Sequence, residues 1–347
     1  MQLDELAERA AGRWPAPVSE YFNQGATAGI STSAAPGAWD RLRLRPRVLR
    51  DVSSVSARTS VLGHEVAAPI LVAPTALQRA AHPDGELATA RGAAAAGSLM
   101  VLSSNSGTPV DAIAATGAAW WLQAYVLRDR GLTTAMLQSA REAGAGAVVL
   151  TVDTPVVGRK YNAGQQAFDI VPPDFLRARL YGSDVPWSTL DKAEDLTPDS
   201  IGWLHDVTGL PVVVKGVLRA DDARTAVAAG AAALWVSNHG GRQLDQSIAT
   251  ADALPEVVAA VMGSGAEVYV DGGLRRAEHV LAALALGARA VFLGRPVLWA
   301  LAAGGDTGEG GADAVAWLLS GMAADLRHAM TLAGARDVGE LTPDLVV

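Results

Sequence analysis

The chain has 347 residues, half of them hydrophobic, carries a formal net charge of −8 and contains no cysteine. Its length and apolar content suit one large α/β domain, and the lack of cysteine excludes disulfides, thiolate metal sites and a thiol nucleophile. The densest cationic stretch, Arg41, Arg43, Arg45, Arg47 and Arg50, alternates with apolar residues like a strand edge, so no nucleic acid partner is expected.

Residues 1–14 are charged and helix-like, without the apolar stretch of a signal peptide. No apolar run reaches membrane-spanning length. A cytoplasmic protein with no membrane partner is therefore expected. Residues 1–65 are expected to form an N-terminal cap of short helices and a hairpin. From residue 66 one theme repeats: a short, continuously apolar run, then an Ala-rich helical stretch. The runs fall at 70–73, 99–102, 120–125, 147–152, 212–214, 234–236, 268–270 and 290–293. They lack alternation, as strands buried on both faces do. Helical stretches at 85–96, 132–143, 220–229 and 276–286 end at Gly97, Gly144, Gly230 and Gly287, where left-handed C-caps are expected. Eight strands alternating with helices predict a (β/α)8 TIM barrel over residues 66–335, with a doubly wound open sheet as the competitor. Residues 156–200 interrupt the repeat after the fourth strand and hold Pro172, Pro173, Pro186 and Pro198. A long loop at that point reads as a lid. All of this forms a single domain, 1–347.

In such a barrel the chemistry lies at the carboxyl ends of the strands. Those ends carry Pro74-Thr75-Ala76, Ser103-Ser104-Asn105, Gln123 and Tyr125, Thr151 and Asp153, Lys215, Ser237-Asn238-His239, Asp271-Gly272-Gly273 and Gly294-Arg295. Turn formation accounts for the Ser, Asn and Gly residues. It does not account for a lysine directly after Val212-Val213-Val214, because a lysine charge is rarely buried without a partner or a task. The loops after strands seven and eight, Asp271-Gly-Gly-Leu-Arg275 and Gly294-Arg295-Pro296, combine glycine backbone with arginine and suit a phosphate. Ordinary turns with surface arginines are the plainer reading of the same loops. The segment Ser237-Asn-His239-Gly-Gly-Arg242-Gln-Leu-Asp245 puts an imidazole and a guanidinium three residues apart. The first can move a proton near neutral pH and the second fits a carboxylate. A structural hydrogen-bonding role for the histidine stays open on spacing alone.

Together with Ala73-Pro-Thr-Ala76, His82-Pro-Asp-Gly-Glu86, Leu150-Thr-Val-Asp-Thr-Pro155 and Val214-Lys-Gly-Val217, in this order, these motifs resemble the FMN-dependent 2-hydroxy acid oxidases and dehydrogenases. The resemblance runs from about Tyr21 to Ala335. It implies FMN as cofactor, with Pro74, Thr75, Ala76, Ser103, Gln123, Thr151 and Ser237 lining the flavin ring and ribityl chain. Lys215 would sit beside the ring to stabilise its reduced, anionic form. Asp271, Gly272, Gly273, Arg275, Gly294 and Arg295 would hold the phosphate. His239 would accept the substrate proton, with Asp153 supporting the imidazolium. Arg242 and Tyr21 would grip the carboxylate, and Tyr125 would hydrogen-bond the reacting oxygen. The product of an (S)-2-hydroxy acid would be the 2-oxo acid. No haem domain and no apolar insert in residues 156–200 are evident, which favours oxygen over another electron acceptor. A homotetramer, or a pair of them, is implied as well, although Trp299 and Trp317 also read simply as core.

Two positions depart from the family pattern. Lys160 stands where a second active-site arginine is usual, with Arg159 beside it. Asn105 stands where short-chain oxidases carry a bulky aromatic. Both suggest a wider, more polar pocket that favours a larger or aryl side chain. Three other readings stay open: FMN-dependent oxidation of a C–N bond or peptide-derived heterocycle, flavin-dependent isomerisation, and a non-catalytic phosphate-binding barrel. No carboxylate cluster supports the metal that the isomerase would need, and no metal site is expected.

Overall fold

The computed structural model describes residues 3–161, 185, 190–304 and 310–347. Three helices lead: α1 (Leu3–Arg13), α2 (Ala16–Asn23) and α3 (Ile30–Asp40). In α1 the buried residues Leu3, Leu6 and Ala10 recur at helical spacing. A hairpin of β1 (Thr59–Val61) and β2 (His64–Val66) follows.

Eight parallel strands then close into a barrel: β3 (Ile70–Val72), β4 (Leu99–Ser103), β5 (Ala119–Ala124), β6 (Val148–Thr151), β7 (Val212–Val217), β8 (Ala233–Val236), β9 (Glu267–Val270) and β10 (Ala290–Leu293). Closure is direct, since Phe292 on β10 pairs with Leu71 on β3, and it rules out the open doubly wound sheet. Every apolar run read as a strand is one. Helices α4 (Gln78–Ala81), α5 (Gly85–Ala95), α6 (Val110–Ala114), α7 (Arg130–Glu142), α8 (Asp199–Thr208), α9 (Ala220–Ala228), α10 (Thr250–Val261), α11 (Ala277–Ala285), α12 (Arg295–Ala303) and α13 (Ala312–Ala333) lie outside the strands. Gly97, Gly144, Gly230 and Gly287 follow their helices with φ between 62° and 102°, the left-handed caps expected of them. The arginines of α1 reach the other end of the chain: Arg9 donates to Ala303 O and Arg13 to Ala302 O, both at 3.1 Å, at the carbonyl end of α12. Among the described residues no helix is long and apolar enough to cross a membrane.

The barrel interior follows from the two-residue period of a strand. Leu71, Val101, Trp121, Val149, Val213, Trp235, Tyr269 and Phe292 form an inner cluster, while their strand neighbours Ile70, Val72, Met100, Leu102 and Trp120 face the helices. Both faces are apolar, which is why the sequence showed no alternation. Trp235 stacks on Phe292 at 3.7 Å between centroids, with Trp121 and Tyr269 packed beside them. Burying each large side chain contributes about 1.5–3 kcal/mol. The hairpin plugs the amino-terminal end: Val61 and Val66 join the inner cluster, and Arg289 Nε donates to Ser60 O at 2.7 Å. The other end stays open. The lid-like loop expected there, at 156–200, lies mostly outside the described residues. Its returning end pairs with the chain after β5, through Arg128 N to Asp191 O and Ala193 N to Val126 O, each 2.8 Å.

Candidate active site

The open end is a cavity of about 700 Å3, within the range of a pocket for a cofactor or drug-sized ligand. Its polar floor is the next inward step of the same strands. Two residues beyond an inner-cluster member on each strand, Ala73 being that member for the first, stand Thr75, Ser103, Gln123, Thr151, Lys215, Ser237, Asp271 and Gly294. All but Ser237 line the cavity. Gln123 links three strands, accepting from Ser104 N at 3.1 Å and donating to Thr151 Oγ1 at 3.1 Å. Lys215 is buried, donates to Ser237 Oγ at 2.8 Å and pairs with Asp271 Oδ2 at 3.3 Å. The charge that seemed out of place after three valines thus has a counter-ion one loop away, as well as a surface to face.

His239 and Asp153 meet at the rim. The imidazole Nδ1 lies 2.8 Å from Asp153 Oδ1, and Thr154 Oγ1 donates to the same oxygen at 3.0 Å. Two backbone irregularities bring them together. β7 carries a bulge at Lys215/Val217, and Gly216 there adopts φ +112°. A Cβ on it would stand 2.6 Å from that of Asp153. His239 itself adopts φ +58°, followed by two left-handed glycines, Gly240 and Gly241. Such a conformation costs a non-glycine residue about 1–2 kcal/mol, and it turns the imidazole into the cavity. Burial pushes the Asp153 carboxyl up, but His239 and Lys215 outweigh it and hold the pKa at about 2. Burial pushes the His239 imidazole below its ordinary 6.5, against the pull of Asp153, with Lys215 and Arg242 adding to the fall. The pair therefore stands at neutral pH as a carboxylate and a neutral imidazole. Its Nδ1–H donates to Asp153, and Nε2 remains able to take a proton.

Four cations crowd the other side. Arg242 Nη1 donates to Tyr21 O (2.7 Å), Phe22 O (3.3 Å) and Gln24 O (3.1 Å), the carbonyl end of α2. Arg295 donates to Phe22 O and Gly240 O, each at 3.0 Å. Lys160 donates to Arg242 O. These bonds hang the N-terminal cap over the barrel mouth and carry Tyr21 into the cavity, its ring 5.2 Å from the Arg242 guanidinium. Asp245, at the end of the histidine motif, completes the clamp by accepting from Ser31 N at 2.9 Å and Thr27 Oγ1 at 2.9 Å at the start of α3. Burial, with Arg242 and Arg295 nearby, lowers Lys160 to about 8. Burial, with Arg242 and Arg275, lowers Arg295 to about 9. A desolvated, mutually repelling set of cations is relieved by anions. All the described bonds of Arg242 leave from Nη1, so Nη2 and Nε are available to a carboxylate. Lys160, not Arg159, lines the cavity, and the exposed Asn105 stands at its mouth.

The expected phosphate loops fit an anion unevenly. Trp39 Nε1 donates to Gly272 O at 2.8 Å, and a Cβ on Gly273, whose φ is +83°, would meet Ala35 O at 2.5 Å. The loop is thus pressed against α3. Arg275 packs over Trp299, 4.9 Å from its ring centroid, and donates to Leu274 O. Trp299 is itself buried, with Nε1 donating to Asn23 Oδ1 at 3.1 Å, which is the core reading of that residue. Asp271 Oδ1 is buried with no partner among the described residues. A carboxylate oxygen is unsuited to a phosphate but fits a hydroxyl donor such as a ribityl chain. The residues present therefore suit FMN: the glycine loops and arginines would hold its phosphate, Asp271 and Ser103 its ribityl chain, and Lys215 would face its ring. We expect Gly273→Ala to cost about 1–3 kcal/mol of stability and to empty the flavin site, read as a lowered melting temperature and a reduced ratio of visible to ultraviolet absorbance.

Sequence reading missed several residues here. Thr154 follows Asp153 directly and was within reach of inspection. Glu86, quoted only as part of a motif, is buried, and burial raises its carboxyl above the ordinary range. It accepts from Gln78 N and Thr108 Oγ1, while Gln78 Nε2 donates to Thr75 Oγ1 at 2.9 Å. It therefore steadies the Thr75 turn. His279 forms a second His–Asp pair. Arg275 N donates to its Nδ1 at 3.1 Å and its Nε2 meets Asp40 at 2.8 Å. With both ring nitrogens engaged, it is structural, unlike His239. Lys192, which lines the cavity with its ammonium 3.6 Å from the centroid of the Tyr125 ring, had no local sequence signal.

Comparison with known proteins agrees with this geometry. The model of the FMN-dependent dehydrogenase family matches residues 10–347. The L-lactate oxidase of Nostoc sp. is 43% identical over 340 residues, covering 93% of this chain and 91% of its own. The glycolate oxidase of Spinacia oleracea is 40% identical over 355 residues, covering 98% and 94%. Among solved structures, a mandelate oxidase superposes with a TM-score of 0.90 at 39% identity, covering 100% of this chain and 97% of that one. Matched over almost its whole length in both sequence and fold, the chain belongs to the FMN-dependent dehydrogenase family and is an oxidoreductase of its 2-hydroxy acid oxidase group.

Proposed function

We propose that this protein oxidises an (S)-2-hydroxy acid with a side chain larger than that of glycolate, aryl groups included, to the 2-oxo acid, with oxygen as the final electron acceptor. The observation that carries the reading is the neutral His239, held by the Asp153 carboxylate at 2.8 Å and facing a set of cations across one cavity. The substrate carboxylate binds Arg242 and Lys160, with Tyr21 closing over it. Tyr125 donates to the hydroxyl oxygen. Burial, with Asp153 nearby, pushes its phenol well above the ordinary range and keeps it a donor. His239 Nε2 takes a proton from the substrate, and the ion pair formed with Asp153 offsets the cost of charging a buried imidazole. Bound FMN supplies the two-electron acceptor. A wide pocket is supported by the exposed Asn105 at the mouth and by Lys160, which keeps a charge in less volume than arginine. A variant of the similar mandelate oxidase was solved with (S)-mandelic acid.

The test is anaerobic mixing of the holoenzyme with glycolate and with both enantiomers of lactate, mandelate and 4-hydroxymandelate, followed in the flavin's visible absorbance. Rapid bleaching by a large S-acid, reversed on admitting air, is the expected result. Glycolate far ahead of the larger acids would remove the wide-pocket reading. Bleaching by none would move the chemistry to a C–N bond.

A further inference from the structure

Lys192 enters the same cavity from the segment that returns after the expected lid. Its backbone pairs with Leu127, just past β5, and its side chain lies across the face of Tyr125, 3.6 Å from the centroid. The acids beside it in sequence do not neutralise it. Glu194 pairs with Arg128 at 2.9 Å, Asp191 with Arg128 at 3.8 Å and Asp195 with Arg130 at 3.0 Å, so Asp191 and Glu194, which also line the cavity, are each matched to another cation. Among the described residues no carboxylate lies within ion-pair distance of the Lys192 ammonium. Its one charged influence is Asp153, which is already committed to His239. Burial lowers Lys192 to about 8, so it is still largely charged at neutral pH. A partly desolvated ammonium over an aromatic face retains attraction for an anion on its open side. The cations that suit the substrate's own carboxylate, Arg242 and Lys160, are tied to the backbone of Tyr21 and its neighbours and to each other. Lys192 instead lies over Tyr125, apart from those two cations, and lines the cavity together with Asn105.

We propose that Lys192 is a specificity residue that binds a carboxylate on the substrate's side chain, so that the preferred substrates are 2-hydroxy acids carrying a second, distal carboxylate. This rests on the hydroxy acid reading above and narrows it: the wide pocket is wide for an acidic group, on an aliphatic or aryl stem. An uncharged stem would leave the ammonium desolvated and without an anion.

Matched pairs test it. (S)-2-hydroxyglutarate is compared with (S)-2-hydroxyvalerate, and 4-carboxymandelate with 4-methylmandelate, in kcat/KM on the holoenzyme. Dissociation constants for 2-oxoglutarate and 2-oxovalerate are read in parallel from perturbation of the flavin spectrum, which needs no turnover. The charged member is expected to lead by about tenfold or more, the worth of one charge-assisted hydrogen bond. Lys192→Met should bring the ratio to about one or below, and Lys192→Arg should keep it above one. Equal handling of both members by the wild-type enzyme, or an equal loss on both in Lys192→Met, overturns the proposal; the second result would make Lys192 a positioning residue for Tyr125. If no acid is turned over, the oxidase reading fails, and the binding ratio alone still decides the role of Lys192.

Discussion

His239→Gln slows anaerobic reduction of the bound flavin by about a thousandfold, within the span of a lost general base, while flavin content stays at the wild-type level. The turn does not depend on the side chain it carries, since the backbone N of His239 donates to Ser237 Oγ at 3.1 Å. Glutamine preserves bulk and hydrogen bonding but cannot take a proton. Asp153→Asn should approach the same loss by a different route. An amide cannot stabilise the imidazolium, and it lets the imidazole present its N–H to the substrate. The pH profile carries the sign. The active form is the neutral imidazole, so kcat/KM rises with pH through a value below 6.5, the ordinary position from which burial lowers His239, and falls again above about 8, where Lys160 loses its charge. Stopped-flow reduction across pH measures both. An acid limb that survives His239→Gln would assign the base elsewhere.

Arg242→Met should cost about a thousandfold in kcat/KM, because truncating one partner of a desolvated charge pair costs about 2–5 kcal/mol. Most of the loss should fall in KM, since a carboxylate is bound equally before and during the reaction. Arg242 also donates three bonds to the carbonyls of Tyr21, Phe22 and Gln24, so the melting temperature should drop as well. Arg242→Lys separates the two effects. It returns a charge for the substrate but only one of the carbonyl bonds, and should recover affinity more than stability. Steady-state kinetics beside thermal melts of the two variants decide the matter. An unchanged KM in Arg242→Met would show that the carboxylate is held by Lys160 and Tyr21 alone.

Much of this molecule was legible in its sequence for a physical reason. A strand buried on both faces must be continuously apolar, so the eight runs stood out, and a chain that alternates such runs with amphipathic helices has few ways to close. The ends of those runs also named the site, because a strand's two-residue period sends Ser103, Gln123, Thr151, Lys215 and Asp271 inward once Val101, Trp121, Val149, Val213 and Tyr269 are inside. What local pattern could not convey were contacts between segments far apart in the chain. The ion pair of Lys215 with Asp271, the anchoring of α2 by Arg242 and Arg295, and the placement of Lys192 over Tyr125 each join residues separated by dozens to hundreds of positions. Local pattern carried the strands, their order and the residue types at their ends, because burial and strand period act locally, whereas closure into a barrel rather than an open sheet came with the pairing of β10 to β3. Which charges share the cavity, which of two histidines keeps a nitrogen for the substrate, and which lysine lies beside Tyr125 emerge only on folding, because ion pairing and desolvation depend on neighbours distant in the chain.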